Sequence, residues 1–193
     1  SEFNHMPDDT YQPLPHKNVD TGAGLERLTS VIQDTPTNFE TDLFMPIIQA
    51  LESMADHHQY AEASEKIKTS FKVIADHIRA VAFAISDGAL PSNEGRGYII
   101  RRLIRRSVMH GRRLGIQGLF LAKLVPVISD IMGSYYQELH DKIEFVQEVL
   151  TSEEERFHET IEEGEMQLEE LMTELKENGI QEIPGDQAFT LYD

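Results

Sequence analysis

A chain of 193 residues with 40% hydrophobic and 26% charged side chains has apolar material for one buried core, or one domain and part of another, which excludes a disordered polymer. It has no cysteine, which excludes disulfides and thiolate metal sites; without a signal-peptide pattern or an apolar run near the roughly 20 residues of a membrane helix, it is expected in the cytoplasm. Its 34 acids against 17 Lys and Arg give a net charge of -17, so any basic cluster runs against the composition.

The opening "SEFNHM" has neither a helix cap nor a starting Met, and its first three residues resemble a cloning scar. The closing "QAFTLYD" stops inside an apolar pattern. Both ends are expected to be cuts through a longer protein. Residues 1 to 19 carry three of the eight prolines (Pro7, Pro13, Pro15) and read as extended and loop-like. "VDTGAGLERLTSVIQ" then passes from glycine punctuation to a helix whose face holds Leu25, Leu28 and Ile32, with Val31 beside it. "TNFETDLFMPIIQALESM" predicts a second helix capped near Asn38 or Thr41, with Pro46 in its first turn. "DHHQYAEASEK" reads as a polar loop.

A third helix is predicted in "SFKVIADHIRAVAFAISDG", where Phe71, Ile74, Ile78, Val81, Ala82 and Ile85 recur at three and four and Gly88 closes the pattern. "ALPSNEGRG" connects it to an arginine-rich helix, with Ser92 or Asn93 as the expected cap. "LFLAKLVPVISDIMGS" predicts a buried helix kinked or restarted at Pro126. From Leu139 to Asn178 runs one long acidic helix, or two with Gly164 as the weak point. Between Asp141 and Glu177 it holds 14 acids and three basic residues. "PGDQAFTLYD" begins a further short helix. The expected fold is mainly α, a helical bundle.

Seven of the 17 basic residues are arginines within residues 96 to 113. At about 100° per residue, Arg101, Arg102, Arg105, Arg106, Arg112 and Arg113 span an arc of about 140°. Ile99, Ile100, Leu103, Ile104, Val108 and Leu114 fill the remaining side, so one face is core and the other is cationic. Two readings stay open. The arginines pair with the acidic helix, or they face phosphate, whose oxygens suit the planar guanidinium fork. The two can coexist.

Other polar clusters predict little chemistry. His57 and His58 sit in a polar loop without converging carboxylates, so no metal site is expected. His77 is expected to pack or hydrogen-bond rather than act as a base. The Glu153-Glu154-Glu155 run reads as a solvated face.

"VDTGAGLERL" resembles motif 3 of class II aminoacyl-tRNA synthetases. With "PLPHKNVDTGAGLERL", "NFETDLFMPII", "VIADHIRAVAFAISDGALPSNEGRGYIIRRLIRR" and "GDQAFTLYD", the order of segments is similar to that in the alanyl-tRNA synthetase family, over essentially the whole chain. The resemblance implies that residues 1–38 are the end of an antiparallel α/β catalytic domain and residues 39–193 a helical tRNA-recognition domain. Motifs 1 and 2, the editing domain and the C-terminal domain are not in this sequence.

It further implies ATP-dependent activation of alanine and its transfer to tRNA(Ala), with Mg2+ at the phosphates. Arg27 would be an ATP-binding and catalytic residue, Gly22 and Gly24 would admit the nucleotide against backbone, and Asp20 would hold the alanine ammonium. The local readings of these residues are a turn glycine pair, a surface arginine and a cap. Family members read a G·U wobble pair in the acceptor stem, whose unpaired guanine amino group lies in the wide, shallow minor groove. By motif, its readers here would be Asn93 and Asp193, with Arg96, Arg101, Arg102, Arg105 and Arg106 as phosphate or structural residues. The piece alone is expected to be inactive. The alternative for it is a non-catalytic acceptor-stem binding module or a helical interaction domain whose arginines are all internally paired.

Overall fold

The computed structural model describes residues 2–16, 18, 21–55, 59–179, 182–185 and 188. The chain divides into two compact units, Ser1–Met45 and Pro46–Asp193.

In the first unit, strands β1 (Phe3–His5) and β2 (Tyr11–Pro13) pair antiparallel with Asn4 opposite Gln12. The loop-like reading of this segment gives way to a hairpin because its turn is closed by side chains. Asp8 accepts from the Thr10 amide, His5 Nε2 lies 2.7 Å from Asp9 Oδ1, and the His5 and Tyr11 rings stack. Helix α1 (Leu25–Ile32) follows Gly24, whose φ of 81° lies in the left-handed region that glycine adopts without strain. The α1 apolar face exists as predicted but is exposed: Leu25, Leu28, Val31 and Ile32 all face solvent. The predicted second helix is split. Asn38–Glu40 form a single tight turn, capped by Thr37, whose Oγ1 accepts from the Phe39 amide, one residue before the expected Asn38.

The second unit is all helical in its regular structure. Helix α2 (Met45–Glu52) carries Pro46 in its first turn, where no amide hydrogen is needed, and buries Ile47, Ile48 and Leu51. Helix α3 (Glu65–Ser86) starts five residues before the predicted segment, because Ser64 Oγ accepts from the Ile67 amide and caps it. All six of its predicted face residues are buried. Helix α4 (Gly95–Arg113) packs along α3 in the most extensive helix contact of the unit.

Leu121–Leu124 form a tight turn and α5 (Val125–Met132) restarts with Pro126 in its first turn, as the sequence allowed. Helix α6 (Gln137–Asp141) is short. Helix α7 (Ile143–Glu177) runs unbroken through Gly164, so the acidic segment breaks at Lys142 instead. Lys142 Nζ donates to the Ser86 carbonyl at 2.7 Å, which ties that break to the end of α3. Val146, Leu150, Glu153 and Glu154 of α7 are buried, whereas no residue from Glu155 to Glu174 is. The predicted final helix in "PGDQAFTLYD" falls mostly outside the described residues.

Candidate nucleic-acid interface

The arginine helix is entered through a tight approach. A Cβ on Gly97 would collide with the Ser92 side chain and the Leu90 carbonyl, so only glycine lets residues 90–92 cross the first turn of α4. Neither predicted cap is used. Glu94 occupies the cap position without a side-chain bond, and Ser92 Oγ donates to the Glu94 carbonyl instead. Asn93 is exposed, and its Oδ1 accepts from Arg101 Nη1 two turns along α4.

The seven arginines separate into two groups. Arg101 Nε lies 3.0 Å from Glu153 Oε1, although the N–H points away from a hydrogen-bonding line, and Arg105 Nε donates to the same oxygen at 3.2 Å. The Arg105 guanidinium also lies 5.0 Å from the centre of the Phe157 ring. Arg112 pairs with Glu165 at 2.6 Å. Arg96, Arg102, Arg106 and Arg113 are exposed and have no acid partner among the described residues. The two readings of the cationic face therefore coexist: α7 takes three arginines and leaves four to solvent. On the opposite face, Ile100, Ile104, Val108 and Leu114 are buried as predicted, whereas Ile99, at the edge of the arc, is exposed.

The solvated-face reading of Glu153 and Glu154 is overturned. Glu153 has 4% of its side chain exposed and Glu154 none. Both continue the stripe of Val146 and Leu150 at helical spacing, the signal in the sequence that marks them as inward-facing. Glu154 accepts from the amides of Phe120 and Leu121, at 3.1 Å in the second case, and so caps the Leu121–Leu124 turn. Burial pushes its carboxyl up to about 7, against the opposing pull of those two amides. The sequence also left unnoticed a buried pair between helices: Ser70 Oγ of α3 lies 2.9 Å from His110 Nδ1 of α4. Burial, then Arg113 and Arg106, hold the His110 imidazole below its usual range. His77 bonds its neighbour Asp76 at 3.0 Å, in keeping with a hydrogen-bonding role.

In the first unit, Gly22, Gly24 and Arg27 are exposed. A Cβ at Gly22 would meet no atom of the chain within 4 Å. Asp20 and Asp193, like His57 and His58, lie outside the described residues. Among the described residues no three His, Asp or Glu side chains gather into a group able to hold a metal ion. Nor is any helix among them long and apolar enough to cross a membrane.

Comparison with known proteins adds the family. The family model described as tRNA synthetases class II (A) matches residues 1–193. The chain is similar over its full length to the alanine–tRNA ligases of Enterococcus faecalis (60% identity), Ligilactobacillus salivarius (59%) and Geobacillus thermodenitrificans (58%). It spans 22% of the length of each of these relatives. Full-length agreement with the family model and identities near 60% over all 193 residues have one meaning: the chain belongs to the tRNA synthetases class II (A) family.

Proposed function

We propose that this chain is part of a cytoplasmic alanine–tRNA ligase, to which it contributes motif 3 and the surface that receives the tRNA(Ala) acceptor stem. The observation that carries the RNA role is the row of exposed arginines on α4, Arg102, Arg106 and Arg113, with Arg96 exposed in its first turn, all four without acid partners among the described residues in a chain of net charge -17. An acidic protein that leaves cations uncompensated along one helix has a surface suited to phosphate. Those side chains position the RNA and carry no sequence information. Asn93, at the head of the same helix, and Asp193 read the G·U pair.

Residues 1–38 are the end of the catalytic domain in this reading, and residues 39–193 the recognition domain. The open backbone at Gly22 and Gly24 and the exposed Arg27 suit ATP, with the guanidinium over the adenine or on a phosphate oxygen. Asp20 holds the alanine ammonium. Mg2+, when bound, neutralises phosphate charge during alanine activation. By itself the chain acts as an acceptor-stem binding module. Alanylation of tRNA by this chain alone, given ATP and alanine, would count against that division of labour.

The test is the salt dependence of binding to an RNA hairpin carrying the acceptor stem. Each phosphate contact contributes about 0.7 to 0.9 to the slope of log affinity against log salt. Changing Arg96, Arg102, Arg106 and Arg113 to Ala lowers that slope by about 3 with the fold intact. An unchanged slope rejects the reading and favours a helical interaction domain.

A further inference from the structure

Asn93 is not a free side chain. Its amide oxygen is taken by Arg101 Nη1, and Arg101 is itself held by Glu153, a carboxylate of α7 with 4% of its surface exposed. A guanidinium has donors only, so the group of Asn93 that faces it must be Oδ1. The Nδ2 amide is thereby turned away from Arg101 with both of its N–H donors available. Arg105 shares the same Glu153 oxygen, and no hydrogen bond joins it to Asn93.

We propose that Glu153 and Arg101 are positioning residues that fix the polarity of Asn93, so that it meets the RNA minor groove as a donor through Nδ2. The proposal rests on the acceptor-stem reading above. Its chemical content is that Asn93 seeks an acceptor in the groove, such as a base O2 or N3 or a ribose oxygen. The exocyclic amino group of guanine, a donor, is left to a different acceptor. A buried carboxylate suits this task, because Glu153 cannot swing to solvent and carries the first link of the chain at a fixed place on α7.

The experiment measures affinity of the full chain for two RNA hairpins that differ only in G·U or G·C at the pair read. Thermal unfolding of each variant is followed in parallel. One mismatched pair is worth about fivefold or more in affinity, and Asn93→Ala is expected to remove most of that ratio. Arg101→Gln and Glu153→Gln are expected to remove it equally. Arg105→Gln, which removes the other partner of Glu153, keeps the ratio. If Asn93→Ala leaves the ratio unchanged, the base-reading role of Asn93 itself fails. If Asn93→Ala abolishes it while Arg101→Gln and Glu153→Gln, both folded, retain it, the positioning role fails and the base-reading role stands. A hairpin with inosine in place of the guanosine tests polarity: its loss of affinity and that of Asn93→Ala should multiply, and losses that do not multiply overturn the donor assignment.

Discussion

Arg101 and Glu153 meet with Nε and Oε1 3.0 Å apart, and that one carboxylate oxygen also receives Arg105 at 3.2 Å. The pair joins the cationic face of α4 to the only buried stretch of α7 among the described residues between Ile143 and Glu174. A helix that sequence alone presents as uniformly cationic therefore has an anchored side and a free side.

Stability follows that division. Glu153→Ala removes a buried carboxylate from two part-buried guanidinium groups and is expected to cost about 2 kcal/mol. Arg112→Ala breaks a pair whose members are 39% and 60% exposed, and is expected to cost no more than about 0.5 kcal/mol. Urea unfolding midpoints of the two variants check the contrast. Equal losses would mean that burial of Glu153 does not set the strength of its pairing.

Glu154 predicts an unusual pH response. Burial raises its folded carboxyl to about 7, against 4.5 for the solvated carboxyl of the unfolded chain, so between those values the folded state binds more protons than the unfolded state. The contribution of this group to stability therefore falls as pH rises from about 4.5 and levels off above about 7. The span is on the order of 3 kcal/mol. Glu154→Gln keeps an acceptor for the Phe120 and Leu121 amides and should remove that slope. Urea midpoints across this pH range measure it, and an unchanged slope in the variant would exonerate Glu154 as its source.

His110 acts in the opposite direction. Its folded pKa lies below the reference of 6.5, so below that pH the unfolded chain binds the extra proton and stability falls as pH drops. The His110 ring is expected to remain neutral in the folded chain under conditions where exposed imidazoles are protonated. Its ring resonances, followed by NMR during an acid titration, report this directly.

Gly97→Ala places a methyl group against Ser92 and the Leu90 carbonyl, which belong to a chain crossing that has little room to yield. A cost of about 1 to 3 kcal/mol is expected. The backbone amide signals of residues 92–94 should shift with it, since Asn93 lies on that crossing. A neutral substitution with unmoved signals would show that the crossing relaxes freely.

Much of the helical layout was legible in the sequence, because burial of one face imposes a period that local residues display. Phe71, Ile74, Ile78, Val81, Ala82 and Ile85 announce α3, and Ile100, Ile104 and Val108 announce the inner face of α4. Pro46 and Pro126 mark first turns because a missing amide hydrogen costs nothing there. The motif segments that carry the family were readable for the same reason, being short stretches contiguous in the chain.

Tertiary structure decided the fate of the charges. Glu153, Glu154 and Glu155 are chemically identical neighbours, yet the first two are buried and the third is exposed. Composition assigns them all to solvent; the spacing from Val146 and Leu150 turns the first two inward, and only the tertiary structure supplies their partners, the α4 arginines and the Leu121–Leu124 turn. The arginines divide in the same way: Arg101 and Arg105 find Glu153 some fifty residues away, while Arg102 and Arg106, one position on, do not. Local sequence sets which face of a helix is apolar, because side-chain period is a property of the backbone. Which charge on the other face is partnered depends on what another helix brings to it, and no local pattern contains that.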